Sequence, residues 1–347
     1  MAIIDEYLTA MVEAGASDLH LSVNSPPKLR LSGRLDPIPG YPVIDQTMMF
    51  QTLREICRDI PWNKFMDKRD LDFAYEIEGV SRFRVNYFYN FWGQAGVLRV
   101  IPSKILTLEE LNLPECLKKM ADYNQGLVLV TGPTGSGKSS TMAAILDYIN
   151  ANRQKHIITI EDPIEFVHKS KRSIIVHREV GDHAISFPRA IKGAMRADPD
   201  VVLIGEMREA ETIKLALSCA SMGILVFGTL HTNNAPKTID RIVDAFPPEE
   251  QGQVRTMLAG CLTSIVSQLL CKTVSGGRVA THEILFRHDA LPNAILQNAL
   301  SSIRNIIDGG RDEGMISMDS SLRANLQSGN ISKETAYMMA ADKNAFM

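Results

Sequence analysis

Residues 127–139 read LVLVTGPTGSGKS: an apolar run of strand character, a glycine-rich turn, and the start of a helix-compatible stretch over 139–152. The turn, 132–139, fits G-x-x-x-x-G-K-[ST], and it stands between a strand and a helix as a phosphate-binding loop must. Its glycines let backbone N–H groups converge on a β-phosphate. Lys138 neutralises β and γ oxygens as a point charge, and the Ser139 hydroxyl is placed to ligate Mg²⁺. The expected binding residues are therefore Gly132, Pro133, Thr134, Gly135, Ser136, Gly137, Lys138, Ser139 and Ser140.

Outward from this loop, the apolar runs GLVLVT, HIITIE, SIIVH, DVVLIG and ILVFGTL recur between helix-compatible stretches at 139–152, 188–196 and 209–222. Such alternation is the signature of a parallel sheet built from βαβ units. The nucleotide-binding core is expected over 114–290, with ILVFGTL as its last strand, followed by a polar helical region over 291–347. Residues 1–100 read as a smaller mixed domain. It opens with a helix over 3–14, strands DLHLSV and KLRLSGRL, and a helix over 46–58. The strands DLDFAYEI, SRFRVNYFY and AGVLRVI then suggest an antiparallel meander. The proline-containing segment 101–113 is the expected linker.

Bulk properties agree with two folded domains. The chain has 347 residues, 45% of them apolar and 22% charged, and a formal net charge of -3 that argues against a generic nucleic-acid binder. Its five cysteines are scattered without any C-x-x-C, so neither a zinc site nor a disulfide framework is signalled, and a reducing, cytoplasmic setting fits. The start, MAIIDEYL, has no basic leader, and no apolar stretch reaches the roughly 20 residues of a membrane span. Membrane association is expected to be peripheral.

Three further segments place chemistry at the carboxyl edge of the expected sheet, where doubly wound folds bind ligands. HIITIEDPIEF sets Glu161 and Asp162 there; both can face the phosphates, or Asp162 can cap a turn before Pro163. DVVLIGEMR has Gly205 where a metal-binding aspartate is usual, followed by Glu206, which can orient and deprotonate water or simply favour a helix start. GTLHTNNA brings His231 to the same edge, either as a sensor of the γ-phosphate or as a structural imidazole.

With these segments in order, the chain closely resembles the type IV pilus retraction (twitching motility) ATPases, within the wider secretion and archaeal-motility ATPase superfamily. The resemblance also rests on GASDLHLS, RFRVN, LRVIPSK and KTIDRIVDAFPPEEQ. It implies an N-terminal PAS-like α+β domain followed by a RecA-like P-loop NTPase domain with C-terminal helices, assembled as a homohexamer. ATP and Mg²⁺ are the implied ligands. Glu206 matches the catalytic glutamate, Glu161 the acid acting through Mg²⁺-bound water, and His231 the γ-phosphate sensor. Arg82, Arg84 and Arg99 match arginines that the family directs towards the nucleotide. The implied partners are an inner-membrane pilus platform protein and a second retraction ATPase, with no nucleic acid, at the cytoplasmic side of the inner membrane.

The chain departs from the family in three places. ASMGI stands at 220–224 where A-E-T-G-H is usual, and the phosphate loop ends in Ser-Ser rather than Ser-Thr. The retraction-coupling helix AIRNLIRE aligns either with AILQNALS at 294–301 or with SIRNIID at 302–308. The extended N-terminus and four-cysteine insert of extension and secretion ATPases are not found, which favours retraction. The alternatives are an accessory ATPase dependent on a primary motor and a RecA-like nucleic-acid translocase.

Overall fold

The computed structural model describes residues 2–31, 33–101 and 104–347; Ser32 of the second expected strand and Pro102 and Ser103 of the expected linker lie outside the described residues. The chain divides into two compact units, Met1–Lys104 with Pro163–Val167, and Ile105–Asp162 with His168–Met347.

The first unit contains α1 (Ile3–Glu13), β1 (Asp18–Ser22), β2 (Lys28–Leu31), β3 (Arg34–Pro37), α2 (Gln46–Glu55), α3 (Asp59–Lys68), β4 (Asp70–Ile77), β5 (Ser81–Asn90) and β6 (Gly93–Ile101). Ile4, Tyr7, Leu8 and Met11 recur at helical spacing and are all buried, so α1 turns one apolar stripe to the core. On β5, Phe83, Val85 and Tyr87 alternate into the same core, and the Tyr87 hydroxyl donates to the Leu53 carbonyl at 3.1 Å. The sheet order is β3-β2-β1-β6-β5-β4. The expected meander is therefore two meanders joined where β1 pairs antiparallel with β6. A second departure is the helix α3. The sequence reading ran one helix over 46–58, whereas α2 stops at Glu55 and a new helix begins at Asp59. Pro61 hides this helix from a pattern reading, yet proline is tolerated in a first turn, where its missing N–H has no intrahelical partner anyway.

The second unit holds β7 (Gly126–Thr131), α4 (Lys138–Asn152), β8 (His156–Glu161), β9 (Ile174–Glu179), α5 (Phe187–Ala194), β10 (Val201–Ile204), α6 (Ala210–Ser221), β11 (Leu225–Leu230), α7 (Ala235–Asp244) and α8 (Pro248–Cys261). It continues with β12 (Leu262–Lys272), β13 (Arg278–Phe286), α9 (Leu291–Leu296), α10 (Ser302–Gly309), α11 (Met318–Gln327) and α12 (Lys333–Met339). Seven strands run in the order β13-β12-β7-β11-β10-β8-β9. All pairs are parallel except the β12–β13 hairpin. Every residue of β7, β10 and β11 is buried, as expected for parallel strands covered on both faces. The register places Leu129, Gly228, Ile204 and Ile160 in one row, so the carboxyl ends of β7, β11, β10 and β8 share an edge.

ILVFGTL is not the last strand. LTSIVSQLLCK forms β12, and its polar Ser264, Ser267 and Gln268 interrupt the apolar pattern while being buried and hydrogen-bonded. In the C-terminal region SIRNIID forms one continuous helix, α10, whereas AILQNALS straddles the end of α9. Met318, Leu322, Ile331, Ala336 and Phe346 form a separate small core with Cys271 of β12.

His282 of β13 is buried with its Nε2 lacking a hydrogen-bond partner among the described residues, and burial pushes its pKa down to about 4. The folded value lies below that of an unfolded histidine, near 6.5. The neutral ring's contribution is therefore complete above pH about 6.5 and is lost as pH falls through about 4, by roughly 3 kcal/mol over the window. Urea unfolding of wild type and His282→Gln across this range checks the assignment: the variant should lose less stability on acidification, and equal slopes would refute it.

Candidate functional site

The phosphate loop is moulded on β12. Gly132, Gly135 and Gly137 have φ of 147°, 78° and 88°, conformations that favour glycine. A Cβ at Gly132 would collide with the Gln268 carbonyl oxygen and approach Ser136 Oγ to 2.6 Å; one at Gly137 would lie 2.8 Å from Gln268 Nε2. The Gln268 amide, 3% exposed, uses both ends. Its Nε2 donates to the Ser136 carbonyl at 2.6 Å, and its Oε1 accepts from Thr141 Oγ1 of α4 at 2.7 Å. Sequence reasoning missed Gln268; the available signal was a lone amide inside an otherwise apolar run.

Lys138 is 9% exposed and donates from Nζ to the Gly132 and Pro133 carbonyls at 2.9 and 3.0 Å. Ser136 Oγ is buried without a hydrogen-bond partner among the described residues. A glycine cradle, an orphaned hydroxyl and an ammonium group held at the loop fit a polyphosphate. Ser139 and Ser140 follow on the first turn of α4, both partly buried.

Four backbone and side-chain contacts fix the neighbouring edge. Gly205 N–H donates to the Ile160 carbonyl at 2.8 Å, and Met207 N–H to the Thr229 carbonyl at 3.1 Å. The Thr229 hydroxyl closes onto the Gly205 carbonyl. Met207 packs so tightly on Gly228 that a Cβ there would strike its sulfur. Glu161 ends β8, 9% exposed, and a Cβ at Gly205 would sit 3.3 Å from both its Cα and its Cγ. The glycine leaves the room that Glu161 occupies.

Glu206 stands on this pinned backbone. Arg208 Nε donates to its Oε1, and His231 Nε2 lies 2.8 Å from the same oxygen. A carboxylate oxygen only accepts, so Nε2 carries the proton in this contact. Burial pushes the Glu206 carboxyl up, but the Arg208 hydrogen bond and charge, with His231, outweigh it and hold the group below the usual carboxylate range. Glu206 is therefore ionised at neutral pH. Asp162, exposed, adds its negative charge beside Arg208.

The structure thus brings Lys138, Ser139, Glu161, Glu206 and His231 to one edge of the second unit's sheet. Arg82, Arg84 and Arg99 belong to the first unit. They share the sheet face opposite the Phe83 and Val85 side chains, with Arg84 directly across from Arg99. Arg99 Nε bonds the buried Asp18 carboxylate at 2.6 Å, and Arg84 Nε lies 3.9 Å from Asp72. A further buried carboxylate in the second unit, Glu283, accepts from the Ala235 N–H at 2.8 Å where α7 leaves the His231 loop.

Comparison with known proteins matches residues 1–296 to the family described as Type II/IV secretion system protein. The Type IV pilus retractation ATPase PilT of Pseudomonas aeruginosa is 47% identical over 333 residues, covering 96% of each chain. The Type IV pilus ATPase PilU of the same organism is 37% identical over 98% of this chain and 89% of its own. Among solved structures, the pilus retraction motor PilT with bound ADP superposes with a TM-score of 0.92 at 39% identity, covering 99% of this chain and 98% of that one. This chain belongs to the type II/IV secretion system protein family and is a P-loop ATPase of its pilus-retraction kind.

Proposed function

We propose that the chain works as a homohexameric motor that converts Mg²⁺-ATP hydrolysis into pilus retraction. It acts at the cytoplasmic side of the inner membrane, against a membrane platform protein and alongside a second retraction ATPase. The observation that carries the reading is Glu206: an ionised carboxylate on a pinned backbone, at the sheet edge shared with the phosphate loop. The higher identity to PilT than to PilU supports a primary rather than an accessory motor.

In this reading backbone N–H groups of residues 134–140 and Lys138 Nζ hold the β- and γ-phosphates. Ser139 Oγ would ligate Mg²⁺ directly and Glu161 through water; the bound ion supplies charge neutralisation on the phosphates. Glu206 takes a proton from the attacking water, and His231 turns its Nε2–H to the γ-phosphate. Arg82, Arg84 and Arg99 contribute guanidinium groups to nucleotide sites in the hexamer. Arg99 can do so with its terminal N–H groups while its Nε stays on Asp18.

Glu206→Ala should lower turnover by roughly 10² to 10⁴-fold while leaving nucleotide affinity near wild type, a test for purified protein and for retraction in a complemented null strain. Ordinary turnover in that variant would refute the assignment. Gly205→Asp should also lose activity, because the new side chain crowds Glu161; wild-type turnover in that variant would show that the space left by the glycine is not needed. Gln268→Ala removes the mould of the loop and should raise the Kd for ATP by about tenfold, the effect of losing one or two buried hydrogen bonds. Equilibrium binding of a fluorescent ATP analogue measures it.

A further inference from the structure

We propose that Arg208 is a positioning residue for hydrolysis: it holds Oε1 of Glu206 so that the other oxygen, Oε2, is presented to the attacking water. The proposal rests on the reading of Glu206 as the base.

The backbone on either side of Glu206 is fixed by Ile160 and Thr229, so the remaining freedom is in its side chain. Two donors, Arg208 Nε and His231 Nε2, converge on Oε1, and Oε2 accepts no hydrogen bond from any described residue. The carboxylate is thereby made asymmetric, with one oxygen held and one available. The two donors are not equivalent. His231 has a single proton on Nε2 and cannot give it to Glu206 and to a γ-phosphate at once. When the imidazole turns to phosphate, Arg208 is the group left on Oε1.

Arginine suits this task. Its guanidinium stays charged at any working pH, and its Nε–H lies in a rigid plane, so a single donor holds Oε1 from a fixed direction. Arg208 is also 75% exposed at its side chain, and an exposed ion pair of this kind adds little to folding. The groups whose charge bears on the pair are His231, from the loop after β11, and Asp162, after β8. Asp162 adds its negative charge to that of Glu206 on the guanidinium.

The test is steady-state hydrolysis of Mg²⁺-ATP by the full chain with Arg208→Ala, Arg208→Lys and Glu206→Gln. Arg208→Ala should lower kcat by about 10 to 100-fold with KM for ATP within about twofold, the pattern of an interaction realised in the transition state. The acid limb of its kcat profile should move to higher pH, since a counter-charge has left the carboxylate. Arg208→Lys should return the acid limb towards wild type but regain only part of kcat, because a freely rotating ammonium group lacks the fixed direction of the guanidinium Nε–H. An unchanged kcat in Arg208→Ala, a loss confined to KM, or a loss with the acid limb in place would each overturn the proposal. Glu206→Gln separates the two readings. If it is inactive while Arg208→Ala is fully active, the role of Arg208 falls and the base stands; if Glu206→Gln turns over normally, the base reading itself falls.

Discussion

The close approach of Gln268 to the phosphate loop is the constraint on which the second unit depends. The Gln268 backbone carbonyl takes up the space beside Gly132 and its side-chain amide the space beside Gly137, and the amide ties the loop's Ser136 carbonyl to Thr141 on the helix that follows. The glycines are needed twice over: for their left-handed backbone, and because a strand lies where their side chains would be. The loop is consequently shaped before any phosphate arrives, and the ordering cost of binding is partly met by folding.

The carboxylates follow the same logic of shared space. A strand that ends in aspartate would bring its side chain onto the Cα and Cγ of Glu161. Gly205 moves the acid of β10 one residue on, to Glu206, where Arg208 and His231 reach it. The two carboxylates of this edge, Glu161 and Glu206, thus come from neighbouring strands instead of one, and their separation is enforced by packing.

The segments gathered at the sheet edge were legible because the chemistry expected of them needs unusual residues at fixed offsets. Glycines at 132, 135 and 137, Lys138, and the acids and histidine at strand ends stand out against apolar runs, and parallel pairing brings those ends to one edge. What escaped notice is polar and buried. Ser264, Ser267 and Gln268 make β12 look like a poor strand, although each is hydrogen-bonded: Ser264 to the Tyr123 hydroxyl, and Ser267 and Gln268 to residues around the phosphate loop. The helix α3 was hidden by a proline that its first turn accommodates, and the joining of two meanders through β1 and β6 depends on pairing between residues far apart in sequence, which no local pattern encodes.

The hairpin of β12 and β13 does more than complete the sheet. Ser267 and Glu283 are direct cross-strand neighbours. Ser267 bonds Thr131, the last residue before the phosphate loop, and Glu283 bonds Ala235, the first residue of the helix beyond His231. One rung of the ladder therefore grips the entrance of the phosphate loop and the exit of the loop that carries His231. A sliding of this hairpin displaces both grips together, so the loops are geared to each other through a stiff antiparallel ribbon, without a flexible linkage between them.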